Sequence, residues 1–178
     1  VVEGIPMVSD MSSDFLSRPV DFRGLGLAYV CAQKNAGVSG LTIVIVDSEL
    51  LAYGNRDSLP GYLSYQNHIE QNSLYNTPPT FAIYTLNLIL KWIEQTVGDL
   101  ETMREANETK ARSIYVVIDE YPARFVGQGS REARSRMNVV FRIPCETTET
   151  EFLKQTPILG LVLLKGPRSV GGIMASIY

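Results

Sequence analysis

Three short apolar runs in the first quarter of the chain, Ile5–Val8, Leu25–Cys31 and Leu41–Val46, constrain the fold more than any other feature. Each has the length of a buried strand and is bounded by Gly, Pro, Ser or Asp, residues that end strands. The connection between the second and third runs, which contains Gly37 and Gly40, is too short for a helical crossover. These two runs therefore return antiparallel. Strands followed by long stretches of helical periodicity place the chain in the α/β class.

The helical periodicity begins after Pro78-Pro79. From Thr80 to Val97, Phe81, Tyr84, Leu88 and Trp92 recur at helical spacing and predict a core-facing stripe, with Gly98 where the helix stops. Asp99 is placed to cap a second helix running to about Asp119, with Leu100, Met103, Ala106, Ile114 and Val117 inward. The intervening stretch, Asp47 to Tyr75, is polar and reads as loop. A Pro-, Gly- and charge-rich loop, Tyr121 to Ser135, marks the expected domain boundary. Beyond it the patterning predicts a strand (Met137–Ile143), a helix (Thr147–Gln155) and two further strands (Gly160–Leu164 and Gly171–Tyr178). Residues 1–120 thus read as part of a larger α/β domain and 121–178 as part of a smaller α+β unit. The chain opens on Val1 and enters an apolar run almost at once, which favours a fragment; a mature amino terminus is the alternative.

Composition removes several function classes. At 178 residues, 45% hydrophobic and 20% charged, the chain is of ordinary globular character. A formal net charge of −3 and the lack of a long basic tract speak against nucleic-acid or membrane-surface binding, although 16 Lys and Arg can still serve anions locally. No apolar run approaches a membrane span. Cys31 and Cys145 lack metal-ligand spacing, and the lone His68, in a polar loop, cannot form a histidine-rich metal site. No metal is expected, and a reducing compartment fits the cysteine usage.

The chemistry centres on Ala32-Gln33-Lys34-Asn35, directly after a predicted strand. Taken alone, Lys34 reads as a charge at a strand end. Asp10, however, also ends an apolar run. A lysine amine and a carboxylate are what pyridoxal phosphate (PLP) requires: the amine attaches to its aldehyde, and the acid keeps its pyridine nitrogen protonated. Desolvation of Lys34 would make its neutral amine available as nucleophile and proton carrier. Strand ends of one parallel sheet can bring both groups to the carboxyl edge where open α/β sheets bind ligands.

Five segments in order, Ser9-Asp10-Met11-Ser12-Ser13, Ala32-Gln33-Lys34-Asn35, Tyr75-Asn76-Thr77-Pro78-Pro79, Ser135-Arg136-Met137-Asn138-Val139 and Leu164-Lys165-Gly166 through Arg168-Ser169-Val170-Gly171-Gly172, resemble the phosphoserine aminotransferases over essentially the whole chain. The resemblance implies part of the large domain of a fold-type I PLP enzyme, with a smaller carboxy-terminal α+β unit. It implies a homodimer that moves an amino group from glutamate to 3-phosphohydroxypyruvate, giving phosphoserine and 2-oxoglutarate, with pyridoxine synthesis as a further use. By resemblance Lys34 carries the cofactor, Asp10 meets the pyridine nitrogen and Gln33 helps to hold the ring. Asn76 and Thr77 would reach the cofactor phosphate of the neighbouring subunit, and Arg168 would bind substrate. Thr77 before Pro78 also reads as an N-cap with proline at the first helical position, facing a phosphate; without the resemblance this is equally a capped helix after a turn. A cytoplasmic protein is implied, or an organellar one if a targeting segment lies upstream.

Two positions depart from the family pattern. Pro167 stands where a histidine is usual, and Met174 where an arginine is expected to hold a substrate carboxylate. Cys31 replaces a small glycine. These departures keep open a second reading, a truncated or degraded relative that is not catalytic and at most dimerises. A third is a different PLP enzyme of the same fold, such as another small-amino-acid aminotransferase or a desulfurase; Met174 would suit altered acceptor specificity, while a desulfurase is weakened because Cys31 sits too close to Lys34 and Cys145 follows Pro144 without an active-site context.

Overall fold

The computed structural model describes residues 4–52, 59–166 and 171–178. It divides into two compact units, Val1–Leu100 and Glu101–Tyr178.

The first unit is built on a three-stranded sheet of order β1-β2-β3: β1 is Val8–Asp10, β2 Leu27–Cys31 and β3 Thr42–Val46. β2 lies in the middle. It pairs parallel with β1, setting Asp10 opposite Tyr29, and antiparallel with β3, setting Cys31 opposite Thr42. The antiparallel return follows the expectation from the short Gly37–Gly40 connection. Leu27, Ala28 and Val30 on the central strand are buried. β1 begins later than the apolar run predicted: the amides of Gly26 and Leu27 both donate to the Met7 carbonyl, and Ile5 is exposed. The stretch read as loop contains α1 (Ser48–Ala52), a 3₁₀ turn (Gly61–Leu63) and α2 (Tyr65–Glu70). Helices this short carry too few residues for a periodic stripe to show.

α3 (Thr80–Trp92) opens into a π turn, Ile93–Val97, and stops at Gly98, whose φ of +105° is glycine territory and whose amide donates to the Ile93 carbonyl at 2.8 Å. Two expectations fail here. Thr77 is not the N-cap: the helix starts at Thr80 with Pro79 in the cap position and no side-chain cap. The cause is the proline pair, because a residue preceding proline is pushed out of the α region. That keeps Thr77 and Pro78 extended. The buried face is also different, with Ala82 and Ile93 buried while Phe81, Tyr84, Leu88 and Trp92 are all exposed. α3 is apolar on nearly every side, so periodicity could not choose which face turns inward.

The second unit opens with α4 (Leu100–Glu120) and continues through β4 (Val126–Gly127), β5 (Asn138–Arg142), α5 (Glu146–Gln155) and β6 (Ile173–Ser176). The strands form an antiparallel sheet of order β4-β5-β6. Ile118, Val139, Phe141 and Ile173 make its core, flanked by Ile114, Tyr115, Phe125 and Phe152. α4 therefore packs with the sheet that follows it, although the sequence grouped it with the first unit. Its buried positions are Asn107, Ala111 and Ile118; Ala106 and Val117, expected inside, are exposed, a phase error of about one residue. Arg131 and Arg134 both pair with Asp119, Arg131 from an exposed position. Arg134 forms a two-pronged pair and lies 4.5 Å from the centre of the Tyr115 ring. The predicted strand 160–164 is not one. Leu161, Val162 and Leu163 are exposed, while the bridge Lys165–Ile173, the Met174 amide on the Leu164 carbonyl and the packing of Leu164 on the core tie the end of this segment to β6.

Among the described residues no helix is long and apolar enough to cross a membrane, and no group of three or more His, Cys, Asp or Glu is placed to hold a metal ion.

Candidate active site

Parallel pairing of β1 with β2 determines what meets at their carboxyl ends. Asp10 is the last residue of β1; β2 runs one step further, to Cys31, and then enters a turn closed by the Ala36 amide on the Ala32 carbonyl at 3.0 Å. Ala32 and Ala36 are fully buried, whereas Gln33 and Lys34 between them are exposed. Small buried residues at the feet of the turn let it sit against the core and push the longer side chains outward. The result is an open cavity lined by Asp10, Ser12, Ser13, Cys31, Gln33 and Lys34. Three of the six residues singled out by sequence thus share one concavity.

Asp10 is held firmly. Oδ1 accepts from the Ser12 amide at 2.9 Å and from the Ser12 hydroxyl at 2.6 Å. These bonds, with smaller help from the Tyr29 hydroxyl and the Lys34 charge, hold its carboxyl below the usual carboxylate range. The Tyr29 phenol is pushed up in turn, chiefly by the Asp10 charge. Asp10 is therefore an anion at neutral pH, as a partner of a protonated pyridine nitrogen must be. Lys34 itself is exposed among the described residues.

Two side-chain bonds staple the loop after β1 to the lysine turn. The Cys31 amide donates to the Ser12 hydroxyl oxygen at 2.9 Å, and the Asn35 side-chain amide donates to the Phe15 carbonyl at 2.7 Å. Ser12, Tyr29 and Asn35 were missed as contributors. Asp10-x-Ser12 has the two-residue spacing of a local side-chain turn, which is a readable signal. Tyr29 depends on a strand register that no local pattern encodes.

The remaining predicted residues lie elsewhere. Asn76 and Thr77 are exposed in the segment before α3 and are not among the cavity's lining residues; the Asn76 side-chain amide donates to the Thr77 carbonyl at 3.1 Å. Arg168 and Pro167 lie outside the described residues. Met174 is on β6 opposite Val140, and the loop before it is closed by the Gly166 amide on the Gly172 carbonyl at 2.8 Å.

The set of groups fits PLP, with an amine free in an open cavity and an ionised carboxylate on the same wall. Comparison with known proteins agrees. The model of the family "Aminotransferase class-V" matches residues 2–175. A phosphoserine aminotransferase of Desulfosudis oleivorans is 48% identical over 99% of this chain and 48% of its own length. One of Niallia circulans is 49% identical over 98% of this chain and 48% of its own length. Among solved structures, phosphoserine aminotransferase from Bacillus circulans subsp. alkalophilus superposes with a TM-score of 0.88 at 48% identity, covering 98% of this chain and 48% of that one. A PLP-bound phosphoserine aminotransferase from Trichomonas vaginalis gives 0.88 at 39% identity, covering all of this chain and 50% of that one. The chain spans about half the length of the curated relatives it matches, and its fold is that part of a fold-type I PLP aminotransferase. On this evidence it belongs to the class-V aminotransferase family.

Proposed function

We propose that this chain is part of a phosphoserine aminotransferase that uses PLP to transfer an amino group between glutamate and 3-phosphohydroxypyruvate, yielding phosphoserine and 2-oxoglutarate for serine biosynthesis. The observation that carries the reading is the shared cavity of Lys34 and Asp10, with the carboxylate kept ionised by Ser12. When bound, PLP supplies an aldehyde for amines and a ring that accepts electrons from the substrate carbon. Lys34 would hold the cofactor through Nζ and would carry the proton to and from the substrate α-carbon. Asp10 would keep the pyridine nitrogen protonated, and Gln33, beside Lys34 on the cavity wall, would help to seat the ring.

The same reading assigns Asn76 and Thr77 to the cofactor phosphate of a second subunit, which suits their exposure and their distance in sequence from this cavity. It assigns Arg168 to an anionic substrate group, the first compact unit with the cofactor to the large domain, and the second to the small domain. A homodimer in the cytoplasm is the matching assembly and location.

One observation favours a second reading, a non-catalytic relative: Met174 on β6 has no charge to offer a substrate carboxylate. The deciding experiment is PLP uptake by the purified chain, alone and fused to the complementary half of the Niallia circulans relative, with borohydride trapping and peptide mapping. A pyridoxyl adduct on Lys34, absent from Lys34→Ala, is the expected result. A folded sample with no specific adduct in either form would leave the non-catalytic reading.

A further inference from the structure

β1 ends at Asp10, and the chain turns away so sharply that the Met11 carbonyl is taken by the amides of Asp14 (3.0 Å) and Phe15 (2.8 Å). The next amide of β2, that of Cys31, therefore finds no strand carbonyl and donates to the Ser12 hydroxyl oxygen instead. This fixes the direction of every bond in the cluster. An amide N–H can only donate, so the Ser12 oxygen accepts from Cys31 and its single hydrogen is left for Asp10. Ser12 is buried, so little water reaches its hydroxyl, although the Asp10 carboxylate it holds is exposed.

We propose that Ser12 is the positioning residue of the site: its amide and hydroxyl hold Oδ1 of Asp10, tie that carboxylate to the strand leading into Lys34, and turn Oδ2 toward the cofactor's ring nitrogen. The proposal deepens the reading of Lys34 and Asp10 as a PLP site and rests on it. Both Ser12 donors land on one carboxylate oxygen, so rotation of the carboxyl group about its Cβ–Cγ bond is stopped. The Asp10 carboxylate then presents a defined lone pair to the ring. Besides the Ser12 hydroxyl, which does not titrate, the groups that face Asp10 from the packed elements are Tyr29 and Cys31 on β2 and Lys34 in the turn. None of these can replace a hydroxyl that also satisfies the Cys31 amide.

The test uses isotope-labelled full chain and the fusion described above. In the unsubstituted protein the Ser12 amide and the Asp10 carboxyl are followed by NMR through the acid range; both are expected to shift with one midpoint, below the ordinary carboxylate range. Ser12→Ala raises that midpoint toward the ordinary carboxylate range and weakens PLP binding about tenfold, while the adduct still maps to Lys34. Ser12→Thr restores both. With ¹⁵N-labelled PLP, the pyridine nitrogen signal moves toward its unprotonated position in Ser12→Ala alone. A Ser12 amide that ignores Asp10, or Ser12→Ala with unchanged PLP affinity and nitrogen signal, overturns the proposal. Should Ser12→Ala fail to fold, the titration of the unsubstituted chain and the Thr variant still decide it. If even the unsubstituted forms take up no PLP, the reading of Lys34 fails and the cofactor half of this proposal with it, while the titration separately decides the hydrogen-bonded clamp.

Discussion

Phe141→Ala should be the most damaging single truncation in the second unit. The ring is 7% exposed, stands edge-on to Phe125 at 5.7 Å and to Phe152 at 6.4 Å, and belongs to the cluster with Ile118, Val139 and Ile173. Truncation removes a buried ring from between the segment before β4 and helix α5, so neither side can close the gap without moving the other. Core Phe→Ala changes of this kind cost about 3–5 kcal/mol, edge-on aromatic contacts included. Against a total stability on the order of 5–15 kcal/mol, that is a large share. With a urea m-value of roughly 2 kcal/mol per molar, the midpoint should fall by about 1.5–2.5 M. Phe141→Leu, which keeps most of the volume, should lose only about 1–1.5 kcal/mol. Ile158→Ala, at a position 83% exposed, should stay within about 0.5 kcal/mol and serves as the control. Urea titrations followed by circular dichroism and by intrinsic fluorescence read all three. A midpoint for Phe141→Ala that matches the Ile158→Ala control would refute the assignment of the core to this ring.

Cys145, the residue before α5, has its thiol lowered to about 7, chiefly by the Thr147 hydroxyl at 3.0 Å and then by Thr148. Its alkylation rate should rise through a midpoint near that pH, several-fold faster at neutrality than for half-buried Cys31, and Thr147→Ala should move the midpoint upward. Gly98→Ala forces a side chain into a φ of +105° and should cost at least about 1 kcal/mol in thermal or urea denaturation, whereas an alanine at Gly24, with negative φ and open space, should cost less. Asp119 is held low mainly by its bond to Arg134. A folded pKa below the unfolded one stabilises the protein above the unfolded value and is lost as pH falls through the folded one. Arg134→Met should therefore flatten the acid limb of a stability–pH curve without changing its slope above pH 6. Replacing Leu88 and Trp92, both about half exposed, by serine and glutamine should leave thermal unfolding nearly unchanged and reduce self-association measured by light scattering.

How far the sequence reached depended on the range of the interaction that decides each feature. The strand-like runs and the Gly37–Gly40 return were legible because short-period patterning and loop length are local. So was the stop of α3 at Gly98. The inward face of α3 was not, because Phe81, Tyr84, Leu88 and Trp92 form as good a stripe as Ala82 and Ile93, and only tertiary packing separates them. In α4 the buried Asn107 sits where an apolar rule expects carbon, and this pulled the predicted face round by about a residue. At the site, Lys34 and Asp10 could be paired by chemical need alone. Tyr29 opposite Asp10 and the Cys31 amide on Ser12 follow from β1–β2 register, which two short runs separated by a turn do not encode.

The two staples, Ser12 to Cys31 and Asn35 to Phe15, also have a kinetic meaning. Each joins parts of the chain about twenty residues apart in sequence by a bond that no neighbouring strand carries. The loop after β1 and the lysine turn must therefore open together, as one local unfolding event, before either amide can meet solvent. In hydrogen exchange, the Cys31 amide should then behave as a reporter of the whole pocket floor. It should exchange in step with the Ala36 amide and more slowly than an amide shielded by one exposed turn. Any ligand that settles on that floor should slow both by the same factor.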